Sequence, residues 1–457
     1  MSFRSHRRRS SGTGGNLLSR RSSMSLRDYE QLVKKRQRLS DWVLFPLMLG
    51  VPPFIVLFHS QLTFTYHQQA LFEHILDQIC SSVPPIVLLL TIQLQLFFLW
   101  YLPARDVQVT VEEGEPFATR FTGFESSLLV CLLYILGALL GLYPGHLIFT
   151  HWVGLLFWLS LLSIFTAFLL LFTPRAPPVS PPSPSTDDSS ISVSAPLSSA
   201  DPPVASRTPS LISQFFYGFH LQPVLLNVDV KSFLTIRLAL TFWALFLISA
   251  QFVHRRLSNA NFSPFSPLIT TTALQLLYIV RRQWAGFYRI FSVLVLLPTV
   301  YLVPVTLGAI SVDVPQRPTL ICAGLFLFGL LCQYLNTATD LQRHNFRRSN
   351  GDLKIDGKDP FYICVRFRKK SGESAVALLL GSGYWAMARH PNYTTEWLSF
   401  LAWTLAWTQP FAFVPLASLT ALFWIRTKRD ELRCLALYGH FWTQHCARVP
   451  YLFFPGF

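Results

Sequence analysis

The chain has 457 residues, 51% of them hydrophobic and only 13% charged. A water-soluble domain carries roughly 25% charged residues, so this composition excludes an ordinary globular protein and predicts a polytopic membrane protein. Seven cysteines without regular spacing exclude a disulfide scaffold, and no ligand pattern predicts a metal. The net charge of +15 resides in the N-terminal tail and beside apolar stretches. That placement follows the positive-inside rule and argues against a nucleic-acid partner.

In chain order, residues 1–40 are rich in Arg and Ser and lack the apolar core of a signal peptide. They are expected to form a disordered basic cytosolic tail. Apolar stretches near the length of a membrane span follow at 42–62, 82–102, 125–144 and 151–173, giving four N-terminal spans within 41–173. The segment 174–210 is dense in Pro and Ser and reads as a disordered linker. Beyond it, 211–457 forms a six-span core, with stretches at 233–253, 265–280, 288–311 and 319–338. The block from Trp397 to Ile425 is too long for one span and is interrupted by Gln409 and Pro410, so it predicts a hairpin of two helices. The fold expected is therefore all-α, with about ten transmembrane helices and both termini cytosolic. The segment from His59 to Ser82 and the turn around Pro144 and Gly145 lack Lys and Arg, as exported loops should; Arg255 and Arg256 break that pattern.

From Gln342 onward, polar and cationic residues crowd beside short apolar helices. Arg343, Arg347 and Arg348 stand at i, i+4 and i+5, so two of them would share a helical face if the helix starting near Thr319 continues, and guanidiniums clamp phosphates well. Arg389, His390, Pro391, Asn392 and Tyr393 precede an apolar helix whose first N–H groups suit an anion. Glu396 follows as a cap for that helix or as an acid. In the third cluster Arg426 precedes Asp430, Cys434 and Tyr438, which recur every fourth residue and so line one helical face. Anchoring at a membrane surface would explain each of these residues equally well when taken alone.

Together, FRRSNG, SGYWAMARHPNY, RDELRC, YGHFW and VPYLFFPGF, with weaker stretches such as TGFESSLLVCLLY and DVKSFLTIRLAL, resemble the sterol reductase family of membrane enzymes. The resemblance implies NADPH as cofactor, contacted by Arg343, Arg347, Leu380, Trp385, Asn392, Tyr393, Arg426, Asp430, Cys434 and Tyr438. It further implies a sterol substrate reduced at a ring carbon–carbon double bond, the 7,8 bond by the nearest pattern. It places the protein in the endoplasmic reticulum membrane or nuclear envelope, among membrane lipid and other sterol-biosynthesis enzymes. Because an isolated alkene does not accept hydride unaided, an acid is required; Tyr438, Glu396 and Asp430 are the candidates.

The chain departs from the family pattern in places. Arg281, Arg282 and Gln283 stand where acids are usual; Leu238 and Ala239 follow Arg237 in the segment that keeps Asp229, Lys231 and Phe233; and Leu437 and His445 replace a common Lys and Tyr. Two other readings therefore accompany the reductase. One is a sterol-binding tether of the nuclear envelope built on a reductase-like membrane domain. The other is an isoprenylcysteine carboxyl methyltransferase using S-adenosylmethionine, which the last hundred or so residues resemble.

Overall fold

The computed structural model describes residues 50–61, 71–103, 105–109, 117–121, 123–172, 215, 224–225, 228–230, 233–258, 266–279, 294–295, 297–310, 317–368, 374–454 and 456. The basic tail, the Pro/Ser-rich linker, Lys231 and the Arg281–Gln283 departure lie outside them. The described residues form helices α1 (50–61), α2 (Leu71–Cys80), α3 (Val83–Tyr101), α4 (Gly123–Leu139), α5 (Leu147–Thr150), α6 (Trp152–Leu171), α7 (Ala239–Ser258), α8 (Pro267–Ile279) and α9 (Leu297–Ile310). Toward the C-terminus come α10 (Thr319–Arg348), α11 (Tyr384–Met387), α12 (Pro391–Leu405), α13 (Val414–Tyr438) and α14 (His440–Arg448).

Most of the structure is helical, as expected, but the all-α reading omits three two-stranded antiparallel sheets: β1 (Arg105–Val109) with β2 (Phe117–Phe121), β3 (Val224–Leu225) with β4 (Val228–Asp229), and β5 (Tyr362–Arg368) with β6 (Ser374–Leu380). Five described helical segments are long and apolar enough to cross a membrane: Val83–Tyr101, Trp152–Leu171, Phe233–Leu257, Thr319–Arg348 and Pro410–Tyr438. Ten spans are not reached among the described residues. Helix α8 has 13 residues and so rises only about 20 Å, short of the ~30 Å hydrocarbon core. Helix α2 occupies the segment read as an exported loop.

The described residues fall into two compact units, one within 39–327 and 402–415 and one within 328–401 and 416–457. In the first, α7 is the central element and packs against α4, α5, α8 and α9. It follows a π-helical turn, Phe233–Leu238, and buries Phe242, Phe246, Leu247 and Ala250. Polar side chains tie this core together. Gln95 donates to Thr241 at 2.8 Å, Ser126 donates to Gln95 at 2.8 Å, and Arg237 donates to Ser126 at 3.0 Å. Such internal pairing is what buried polar groups require where water is absent.

The second unit positions the residues singled out above. Helix α10 runs unbroken to Arg348, where Asn350 (φ 54°) and Gly351 (φ 97°) turn the chain left-handed. The Gly351 N–H donates to Phe346 O and the Asn350 N–H to Arg347 O, at 3.1 and 3.2 Å. This paired closure caps the helix and explains the Ser-Asn-Gly that follows the arginines. The β5–β6 hairpin buries Val365 and Leu379 against Trp442 of α14. Pro391 opens α12, where its missing N–H costs nothing, and the chain breaks at Gln409 and Pro410 before α13, as the predicted hairpin requires.

Candidate functional site

Helix α10 supplies one side of the cluster. Arg343 sits five residues before the helix end; its guanidinium lies 4.2 Å over the Trp385 ring and 3.5 Å from Asp340 Oδ1. Trp385 is fixed by donating its indole N–H to Thr339 O at 3.0 Å. The preceding turn is tight: Gly383 has φ 62°, and a Cβ there would meet the Gln342 amide at 2.4 Å. Gln342 Oε1 accepts the Tyr384 N–H at 3.1 Å, so the glycine is needed both for its conformation and for this close approach. Arg347 is exposed on the same helix.

The start of α12 supplies the second side. Asn336 of α10 donates to Asn392 O at 2.7 Å and to Thr395 Oγ1 at 3.3 Å, holding the two helices together. Asn392 Nδ2 donates to Asp340 Oδ1 at 3.2 Å, while its Oδ1 is buried without a hydrogen-bond partner among the described residues. Tyr393 is sandwiched between His390 (ring centroids 5.0 Å apart, 8°) and Phe423 (4.5 Å, 11°). Its hydroxyl donates to Asp430 Oδ2 at 3.3 Å, and the Arg426 guanidinium lies 5.8 Å from its ring centre. Burial raises the Tyr393 phenol above its ordinary value; Arg426 opposes this and Asp430 reinforces it.

These contacts connect six of the expected residues: Arg343, Trp385, Asn392, Tyr393, Arg426 and Asp430. The others occupy different surroundings. Leu380 packs with Phe346, Ile355 and Trp385 in an apolar cluster. Cys434 and Tyr438 pack beneath the hairpin with Val365, Leu379 and Trp442, and the Tyr438 ring meets Phe367 at 5.5 Å. The single face expected for Asp430, Cys434 and Tyr438 thus serves two neighbours in turn. Glu396 corrects its capping role: it lies beyond the first turn of α12, which contains no acid, and is 6% exposed.

Sequence reasoning missed Asp340, which joins Arg343 to Asn392, and Gln342, which seats the Gly383 turn. The only sequence signal for Asp340 was its i, i+3 spacing to Arg343. It missed as well the part played by Glu431, whose carboxylate lies 3.1 Å from Arg389 Nε and 3.7 Å from His390 Nε2.

Comparison with known proteins gives this arrangement a context. The model of the ergosterol biosynthesis ERG4/ERG24 family matches residues 86–457. The 7-dehydrocholesterol reductase of Arabidopsis thaliana is 32% identical over 54% of this chain and 60% of its own length. The Delta(14)-sterol reductase TM7SF2 of Mus musculus is 27% identical over 83% of this chain and 87% of its own. The Delta(14)-sterol reductase LBR of Gallus gallus is 27% identical over 53% of this chain and 38% of its own length. The chain therefore spans less than two thirds of the first and third of these relatives.

Proposed function

The chain belongs to the ergosterol biosynthesis ERG4/ERG24 family of sterol reductases, and from that premise we propose that it reduces the 7,8 double bond of a sterol with NADPH, in the endoplasmic reticulum membrane. The observation carrying this reading is the convergence of Arg343, Trp385, Asn392, Tyr393, Arg426 and Asp430 from three segments. Such a donor set fits an anionic dinucleotide: guanidiniums for phosphate, an indole surface for stacking, and a buried amide oxygen still lacking a donor. The 7,8 preference rests on the Arabidopsis relative.

When bound, NADPH supplies the hydride. The protein's own residues do the rest. Arg347, exposed at the α10 terminus, offers its guanidinium to the extra phosphate, while Arg343 is held in place by Asp340 and Trp385. Asn392 presents its acceptor because Asp340 takes its donor. The proton for one alkene carbon comes from an acid of this chain. Of Asp430, Glu396 and Tyr438, Asp430 is the one joined to the cluster; as acceptor from the Tyr393 hydroxyl it orients that phenol, whose proton is the one the pair can give up.

A second reading, reduction of the 14,15 bond, is favoured by the mouse relative, which aligns over 83% of the chain. The methyltransferase reading, by contrast, accounts for only the last hundred or so residues, whereas the family match begins at residue 86. Expression in cells lacking sterol reductases, with sterols profiled by mass spectrometry, tests the proposal. Conversion of 7-unsaturated sterols is expected; conversion of 14-unsaturated sterols alone selects the second reading. An unaltered profile refutes both enzymatic readings and leaves a sterol-binding tether.

A further inference from the structure

Arg389 and His390 are held from two directions. On the backbone side, the Arg389 N–H donates to Tyr451 O at 2.9 Å and the His390 N–H to Leu452 O at 3.0 Å, so the C-terminal segment is tied to the backbone at both residues. Thr394 Oγ1 donates to Phe453 O at 2.6 Å and Arg389 Nη1 to Val449 O at 3.3 Å. On the side-chain side, both residues meet the carboxylate of Glu431 on α13. The Arg389–Glu431 approach is an ion pair without hydrogen-bond alignment, and the side chains are only 11% and 24% exposed. A sheltered ion pair contributes little net stability after desolvation, so its better-attested use is to fix one arrangement.

That arrangement reaches the candidate site. The His390 ring lies parallel to Tyr393, Phe423 closes the other face, and the Tyr393 hydroxyl meets Asp430. Glu431 and Asp430 are consecutive on α13, so they point about 100° apart. One acid thus holds the ring's neighbour and the other holds its hydroxyl. We infer that Glu431 is a positioning residue, acting through His390 to set the Tyr393 phenol against Asp430 without itself touching cofactor or substrate. The inference goes one step deeper into the site proposed above, and its consequence for NADPH rests on that reading.

The groups facing His390 and Glu431 include Arg389, Tyr393 and Phe453 around the imidazole, with Cys434 of α13 and Trp442, His445 and Cys446 of α14 beside the carboxylate. The test therefore uses variants that separate charge from stacking. In full-length protein in detergent, Glu431→Gln and His390→Ala should each weaken NADPH binding about tenfold, the effect of about 1.4 kcal/mol. His390→Phe keeps a ring on Tyr393 but gives Glu431 nothing to hold, and should therefore lose about as much as Glu431→Gln. The Glu431→Gln/His390→Ala pair should lose no more than the worse single variant, because both act along one path. In parallel, 3-fluorotyrosine placed at Tyr393 reports the phenol by fluorine NMR whether or not NADPH binds. Its resonance and titration should shift toward those of an exposed tyrosine in Glu431→Gln. An unshifted fluorine signal, additive losses, or a His390→Phe variant that binds NADPH like the parent overturns the positioning role. A shifted signal in a protein that binds no NADPH upholds the positioning role and refutes the cofactor reading instead.

Discussion

At the scale of single residues, the cluster separates groups already committed to the protein from groups still available to a ligand. Arg343 is engaged by Asp340 and Trp385, and the donor of Asn392 by Asp340, whereas Arg347 is exposed and Asn392 Oδ1 has no donor among the described residues. Arg347→Ala should therefore weaken NADPH more than NADH, since a guanidinium has its greatest selective value at the extra phosphate. Asn392→Ala should weaken both cofactors, and each loss should amount to about 1–3 kcal/mol. Titration of purified variants with both cofactors decides it; equal losses of NADPH and NADH in Arg347→Ala would place that arginine elsewhere. A second residue bears on pH. His445 is buried against Trp442 (5.3 Å), and burial, then Arg389, pull its pKa down to about 4, with Glu431 opposing. The folded state thus holds fewer protons than the unfolded one below the ordinary value of about 6.5. Stability present above that value is lost as pH falls toward 4, by at most about 1.4 kcal/mol per pH unit. The thermal midpoint should fall between pH 7 and 5 in the parent and fall less in His445→Phe; identical declines would remove His445 as the cause.

Elements differ in how plainly the sequence announces them. Helix α10 was legible as an apolar stretch at 319–338, its continuation through the arginines standing only as a condition, whereas the break at Gln409 and Pro410 was legible because Pro lacks the N–H that a continuing helix needs. The β5–β6 hairpin was overlooked although Ile363, Val365 and Phe367 alternate with Cys364, Arg366 and Arg368, the period-two pattern of a strand. Its basic residues, Arg366 and Arg368, suit a membrane-flanking loop equally well. Part of the site was illegible for a different reason: Asp340, Gln342 and Glu431 matter through partners 42 to 52 residues away, Asn392, Tyr384 and Arg389, and local spacing carries no trace of such contacts. The meeting of α2 and α6 is another such contact. A Cβ on Gly154 would stand 2.4 Å from the backbone oxygen of Gln78 and 2.6 Å from Pro84, and backbone does not swing aside as a side chain can. Small residues permit close helix approach in this way. Gly154→Ala should cost about 1–3 kcal/mol through overpacking, lowering the thermal midpoint in detergent; a midpoint equal to the parent's would mean that the helices separate freely.

For the molecule as a whole, orientation in the membrane ties the parts to function, because a cofactor drawn from the cytosol must meet its site there. The positive-inside rule places the arginine-rich ends of α10 and α13 on the cytosolic side and the segments poor in Lys and Arg on the other. One pair of residues tests that rule's limits. Arg256, at the end of α7, lies 3.0 Å from His146 Nε2, so the two arginines there share an end of the first unit with the turn around Pro144 and Gly145, which the rule assigns outside. On the proposed orientation these two cations yield to the clusters at Arg343–Arg348 and Arg426–Arg433, because the rule weighs the summed bias rather than any one loop. Two exposed native cysteines make the sidedness measurable: Cys80 ends α2 in a segment without Lys or Arg, and Cys364 lies on β5 beside Arg366. A membrane-impermeant maleimide added outside sealed microsomes should modify Cys364 and spare Cys80 until detergent is added. Modification of Cys80 in sealed vesicles, or protection of Cys364, would invert the assignment and move the candidate site to a compartment from which cytosolic NADPH cannot reach it.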